Sequence, residues 1–140
     1  MKSISEIALG EIGVTEIVGK EHSPRVLQYS RDLGKNFDFV TSDEVPWCSI
    51  FVNWCAMTAG LEYSNKANAR SWLKVGEGIV LPKAGDIVVL KRGNSAWQGH
   101  VGIFCSFRGK DIYVLSGNQN NQVNISLYKG DALLGFRRLK

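Results

Sequence analysis

The stretch Thr41–Gly60, TSDEVPWCSIFVNWCAMTAG, decides the fold. Thr41 and Glu44 match the S/T-x-x-E capping pattern and Pro46 suits a first helical position, so either start puts Cys48 in the first turn of a helix. From there Ile50, Phe51, Val52, Trp54, Cys55, Met57 and Ala59 are apolar nearly all round the wheel, and Gly60 closes the run. A helix that is apolar on every side has to be enclosed by the rest of the molecule. The reading is a buried central helix with a thiol at its N-terminus.

Toward the N-terminus, Ile4, Ile7, Ala8 and Ile12 recur at helical spacing until Gly13 interrupts them. Pro24 can open a second helix carrying Val26, Leu27, Tyr29 and Leu33, with Gly34 as its terminator. Beyond the central helix, Ala67–Val75 reads as a short helix, followed by a loop containing Gly76, Gly78 and Pro82. The period then changes to alternation. Asp86–Lys91, His100–Phe107, Asp111–Ser116, Gln122–Leu127 and Leu134–Leu139 are short β-type runs separated by turn-forming segments. Five strands with short connections predict an antiparallel sheet, and helices followed by strands predict an α+β fold with the helical layer on one face. The 140 residues show no repeat or low-complexity linker, so one domain spanning 1–140 is expected.

Hydrophobic residues make up 44% and charged residues 21%, the balance of a packed globular chain. The longest apolar runs, such as Ile87–Leu90, fall far short of the ~18–20 residues a membrane span needs, so no membrane insertion is expected. Glu6 and Glu11 interrupt what would be the apolar region of a secretory signal. Synthesis in the cytoplasm without a signal peptide is therefore expected, with any export by another route. The net charge of +4 favours anionic partners, but the basic residues are scattered and no nucleic-acid recognition signature appears, so nucleic acid is not expected. Three cysteines without a CxxC pair, and two distant histidines, indicate neither a disulfide framework nor a metal site. No cofactor is expected.

A thiol at a helix N-terminus is favoured as thiolate by the unpaired N–H groups and the positive end of the dipole, which singles out Cys48. A catalytic thiol also needs an imidazole. His22 sits in a polar break, EHSP, where a solvated surface histidine is the simpler reading. His100 begins the alternating strand GHVGIF, in which His100, Gly102 and Phe104 share one face and Val101, Ile103 and Cys105 the other; Gly99 and Gly102 leave room for a helix end to approach. If the next strand returns antiparallel, the amide cluster Asn118, Gln119, Asn120 and Asn121 comes near His100. Asn118 is the expected orienting residue, with Gln119 and Asn120 as alternatives. Cys55 lies seven residues after Cys48, about 10 Å along the helix, too far for a disulfide, and is read as core, as is Cys105. For substrate binding, Trp97 in a polar loop beside His100 is the best groove candidate, followed by Trp47, Asp43 just upstream of the thiol, Gln119 and Asn120.

The residues PWCSIFVNWC, PKAGDIVVL, GHVGIF and SGNQ, in that order and separation, resemble the NlpC/P60 and CHAP group of papain-like cysteine peptidases and amidases. The resemblance implies a papain-like fold with the cysteine opening a central helix on the sheet, Cys48 as nucleophile, His100 as base and Asn118 as the third residue. It also implies hydrolysis of amide bonds in bacterial peptidoglycan, as a stem-peptide endopeptidase or an N-acetylmuramoyl-L-alanine amidase. Many NlpC/P60 members carry Asp before the cysteine and many CHAP members have Glu at the third position, whereas this chain has Trp47 and an amide cluster. It looks nearer to phage-lysin-like members whose cysteine follows PW. Two settings follow: a monomeric lysin released at lysis, or a secreted antibacterial effector, for instance of type VI secretion, with a cognate immunity protein. Both act on the wall or in the periplasm. The alternatives are a non-catalytic peptidoglycan- or peptide-binding module on the same scaffold and a cysteine hydrolase acting on protein substrates.

Overall fold

The apolar run after Trp47 forms an enclosed helix in the computed structural model, which describes residues 2–15, 23–37 and 47–140. Thr41, Asp43, Glu44 and Pro46, and also His22, lie outside the described residues. Three α-helices precede the sheet: α1 (Ile4–Leu9), α2 (Pro24–Leu33) and α3 (Cys48–Thr58). Ser3 and Glu6 form a reciprocal capping box on α1. Ser23 caps α2, Pro24 occupies its first turn, and Gly34 ends it with a positive φ of 95°. Every residue of α3 from Cys48 to Ala56 is buried, as an all-round apolar helix requires.

Five of the six strands are those the alternation predicts: β2 (Ile87–Lys91), β3 (Gly99–Arg108), β4 (Asp111–Gln119), β5 (Gln122–Tyr128) and β6 (Leu133–Arg138). The sixth, β1 (Glu77–Ile79), is a three-residue edge that pairs with β6. Its mostly exposed residues carry no alternation, so the pattern predicted only a loop there. The order β1-β6-β2-β3-β4-β5 is antiparallel throughout. The expected short helix at Ala67–Val75 appears as a 3-10 turn, Ala69–Lys74.

One face of the sheet, with Ile87, Val89, Val101, Ile103, Leu115 and Val123, packs on α3 and its neighbours in the main core. Val88, Leu90, Phe104, Ile112, Val114 and Phe136 form a second apolar cluster on the opposite face. The alternation within β2 thus feeds two cores rather than a core and solvent, which a strand of four consecutive buried apolar residues requires. Among the described residues, no helix is long and apolar enough to cross a membrane.

Gly102 is used differently from the expectation. A side chain at Gly102 would run into Val114 and Ser116 of β4, so Gly102 admits the neighbouring strand, not a helix. The N-terminal end of α3 approaches at Gly117, where an added Cβ would collide with the Trp47 ring and sit 3.0 Å from Phe51 Cβ. Trp47 is accordingly 1% exposed and packs beside Tyr29. The sequence expectation that Trp47 lines a substrate groove is corrected: its ring is core, pressed under β4.

Candidate active site

Cys48 is the first residue of α3, and a cleft of about 300 Å³ opens beside it. His100 is 2% exposed and stands at the start of β3, paired across the ladder with Leu90 of β2. Burial raises the Cys48 thiol, but the neighbouring His100 ring, the Val101 backbone and the charge of Arg92 outweigh that and hold it below the ordinary thiol value. Thiol and imidazole, 52 positions apart in the chain, are therefore brought into interaction.

His100 Nε2 lies 2.9 Å from Gln119 Oε1. The orientation of that amide is set by its own nitrogen, which donates to Asn124 O at 2.9 Å, Asn124 Oδ1 at 2.8 Å and Val114 O at 3.2 Å. The oxygen consequently faces the ring and can only accept, so the proton of the neutral imidazole belongs on Nε2. Nδ1 is left as the basic nitrogen; it is buried and has no hydrogen-bond partner. A catalytic contact that is unaligned in the free enzyme and tightens when the proton moves fits this state of Nδ1 and the thiol.

The orienting hydrogen bond thus comes from Gln119 and not from Asn118, where strict alternation places it. Along most of the β4–β5 ladder each partner pair follows one register, Ser116 facing Asn124, but Gln119 faces Gln122. One extra residue has entered β4, and Asn118 takes it up with φ 59°. That bulge shifts the side-chain parity, so the residue reaching the His100 face is one position later. Asn120 and Asn121, with φ of 54° and 61°, form the two-residue hairpin turn; Asn120 is exposed at its tip.

Tyr128 completes the support and was missed from the sequence. Its hydroxyl donates to Gln119 Oε1 at 3.0 Å, and its ring stacks on His100 with centroids 5.2 Å apart and planes 26° from parallel. Burial, with the charge of Cys48, pushes its hydroxyl up to about 12, so it remains a donor at neutral pH. No local pattern marks it: the register sets Tyr128 opposite Ile112, which faces Phe107 and not His100.

The cleft walls are held by polar groups that also escaped sequence reading. Buried Asn53 donates to Lys66 O at 3.1 Å and accepts from the Asn65 backbone at 2.7 Å, while Ser49 Oγ donates to Lys66 O at 2.7 Å. These bonds fix the segment leading to Ala67 and Ala69 on one side of the cleft. On the other, Arg70 bonds Gln98 O and Ser95 O at 2.9 and 2.7 Å, holding the loop that presents Arg92 and Trp97. Trp97 lines the cleft and is 72% exposed, whereas Trp54 and Trp72 are core, bonded to Asp32 and Ser49. Cys55 is fully buried, and Cys105 is half-buried at a bulge in β3. Among the described residues no group of His, Cys, Asp or Glu could hold a metal ion.

The chain matches the CHAP domain model over residues 40–118, more than half its length. It belongs to the CHAP family. The match ends one residue before Gln119. No curated protein matches this CHAP chain. Among solved structures, a lipoprotein-like protein of the NLP/P60 family from Staphylococcus aureus resembles it with a TM-score of 0.53 and 21% identity. The alignment covers 96% of the CHAP chain and 39% of the staphylococcal one, so the likeness is one of fold and the chain spans about two-fifths of that protein. The chain is thereby a member of the NlpC/P60–CHAP superfamily, a group of peptidoglycan-related hydrolases whose members are typically cysteine peptidases or amidases.

Proposed function

We propose that the protein is a cysteine hydrolase that cleaves amide bonds of bacterial peptidoglycan, within the stem peptide or between it and muramic acid. The observation that carries the reading is the state of His100: Nε2 is tied to a fixed acceptor, Nδ1 carries no hydrogen bond, and the ring acts on a Cys48 thiol held below its ordinary value. His100 Nδ1 takes the proton of Cys48, and the thiolate attacks the amide carbonyl carbon. The oxyanion of the tetrahedral intermediate is received by the Cys48 backbone N–H at the start of α3. As the C–N bond breaks, Nδ1–H protonates the leaving amine and a thioester remains. Water, losing a proton to Nδ1, then attacks the thioester, the acid is released and the thiol is restored. Gln119 orients the ring throughout, and Trp97 offers an apolar face to the substrate.

Either setting, a lysin freed at lysis or a secreted effector neutralised by an immunity protein plugging the Cys48 cleft, uses the same chemistry. Digestion of purified peptidoglycan, with fragments identified by mass spectrometry, tests the activity and the bond together. Release of new amino termini or of free stem peptides is the expected result. Intact wall material after prolonged incubation contradicts it.

A further inference from the structure

Among the described residues, the cleft beside Cys48 is lined mainly by small, apolar or neutral groups, Ala67, Ala69 and Trp97 among them, and Arg92 is the one charged residue that lines it. Arg92 lies close enough to Cys48 for its charge to favour the thiolate, and it acts in the same way on Tyr128. Among the described residues no carboxylate pairs with it; the ion pairs there belong to Arg25, Lys110 and Arg138. Arg70, the other guanidinium nearby, is spent on the Ser95 and Gln98 carbonyls, and so holds in place the loop that carries Arg92. An exposed cation with no carboxylate partner among the described residues, lining a mostly apolar cleft next to a nucleophile, is a receptor for a carboxylate.

We propose that Arg92 forms an anion subsite, and that the cleft selects acyl groups bearing a free carboxylate close to the scissile carbonyl, the chemistry of an acidic peptide. The assignment rests on Cys48 being the reactive thiol of this cleft. It separates two substrates of equal size, one with a carboxylate and one with a carboxamide at that place, through charge alone.

Iodoacetate and iodoacetamide make the same comparison without requiring amide hydrolysis, since both alkylate a thiolate with loss of iodide and differ in carrying a carboxylate or a carboxamide. The ratio of their rates at Cys48 is measured at neutral pH and low salt, with N-acetylcysteine as the reference thiol. Any change in the ionisation of Cys48 affects both reagents and cancels in the ratio. The wild-type protein is expected to favour iodoacetate, and Arg92→Gln to lower the iodoacetate-to-iodoacetamide ratio roughly fivefold, with Arg92→Lys retaining most of the preference. An unchanged ratio in Arg92→Gln, with Cys48 still reacting faster than the reference thiol, overturns the subsite and leaves the hydrolase reading standing. Reaction of Cys48 no faster than the reference with either reagent overturns both.

Discussion

At Gln119 a single inserted residue decides which amide serves the imidazole. Gln119 Oε1 has two donors, His100 and Tyr128, and its nitrogen has three acceptors, so the amide cannot turn over without losing several hydrogen bonds. Gln119→Ala is expected to lower kcat by about 10²-fold, near the lower end of what general acid–base catalysis supplies. Asn118→Ala should leave kcat near wild type while costing about 1 kcal/mol in stability, because alanine is strained at φ 59°. Steady-state rates and denaturant midpoints of the two variants separate the roles. The thiol offers a second check. Its alkylation profile should have a midpoint below the ~8.5 of a free thiol, and His100→Ala should move that midpoint upward, since burial then acts with one fewer opposing group. A profile unmoved by His100→Ala would separate the ring from the thiol. The pair itself was legible from a cysteine at a helix start and a histidine opening a strand. The third residue was not, because a bulge leaves no trace in hydrophobic alternation.

Among the elements, α3 is the most legible and its surroundings the least. Its apolar residues announce a buried helix, yet nothing in the run says that Trp47 turns inward or that Gly117 is the strand position it crosses. Gly117→Ala forces a methyl group against the Trp47 ring and Phe51, and should destabilise the fold by about 1–3 kcal/mol in urea unfolding. The polar residues of α3 were also opaque, since Ser49 and Asn53 show their purpose only when the 3-10 segment and the residues before it have packed against them. The link between α1 and α2 is electrostatic. Burial pushes the Glu11 carboxyl up, but hydrogen bonds from Arg25 at 2.6 Å and Tyr29 at 2.8 Å, with the Arg25 charge, hold it below its usual value. A carboxyl lowered in the folded state adds stability above its unfolded pKa of about 4.3 and loses it as pH falls through the folded value. Glu11→Gln should therefore be less stable than wild type at pH 7, and the gap should narrow as the pH falls below about 4. Denaturant midpoints at the two pH values measure it.

The whole molecule places a helix N-terminus and a strand start at one cleft, with a hairpin end behind the imidazole, and the order of helices then strands was enough to foresee that layout. Two features of the sheet were not foreseen, the three-residue edge β1 and the apolar cluster on the second face. Both depend on long-range pairing: Arg138 of β6, for example, reaches Asp86 just before β2 at 2.7 and 3.0 Å, a bond invisible to local pattern. Membership of the CHAP family and the interaction of Cys48 with His100 point to the same chemistry from independent directions. The most direct measurement is amide release from purified peptidoglycan by wild type, Cys48→Ala and His100→Ala, side by side at matched folded concentration. Wild type should release new amines steadily and neither variant should rise above background; undiminished release by Cys48→Ala would rule out Cys48 as the nucleophile.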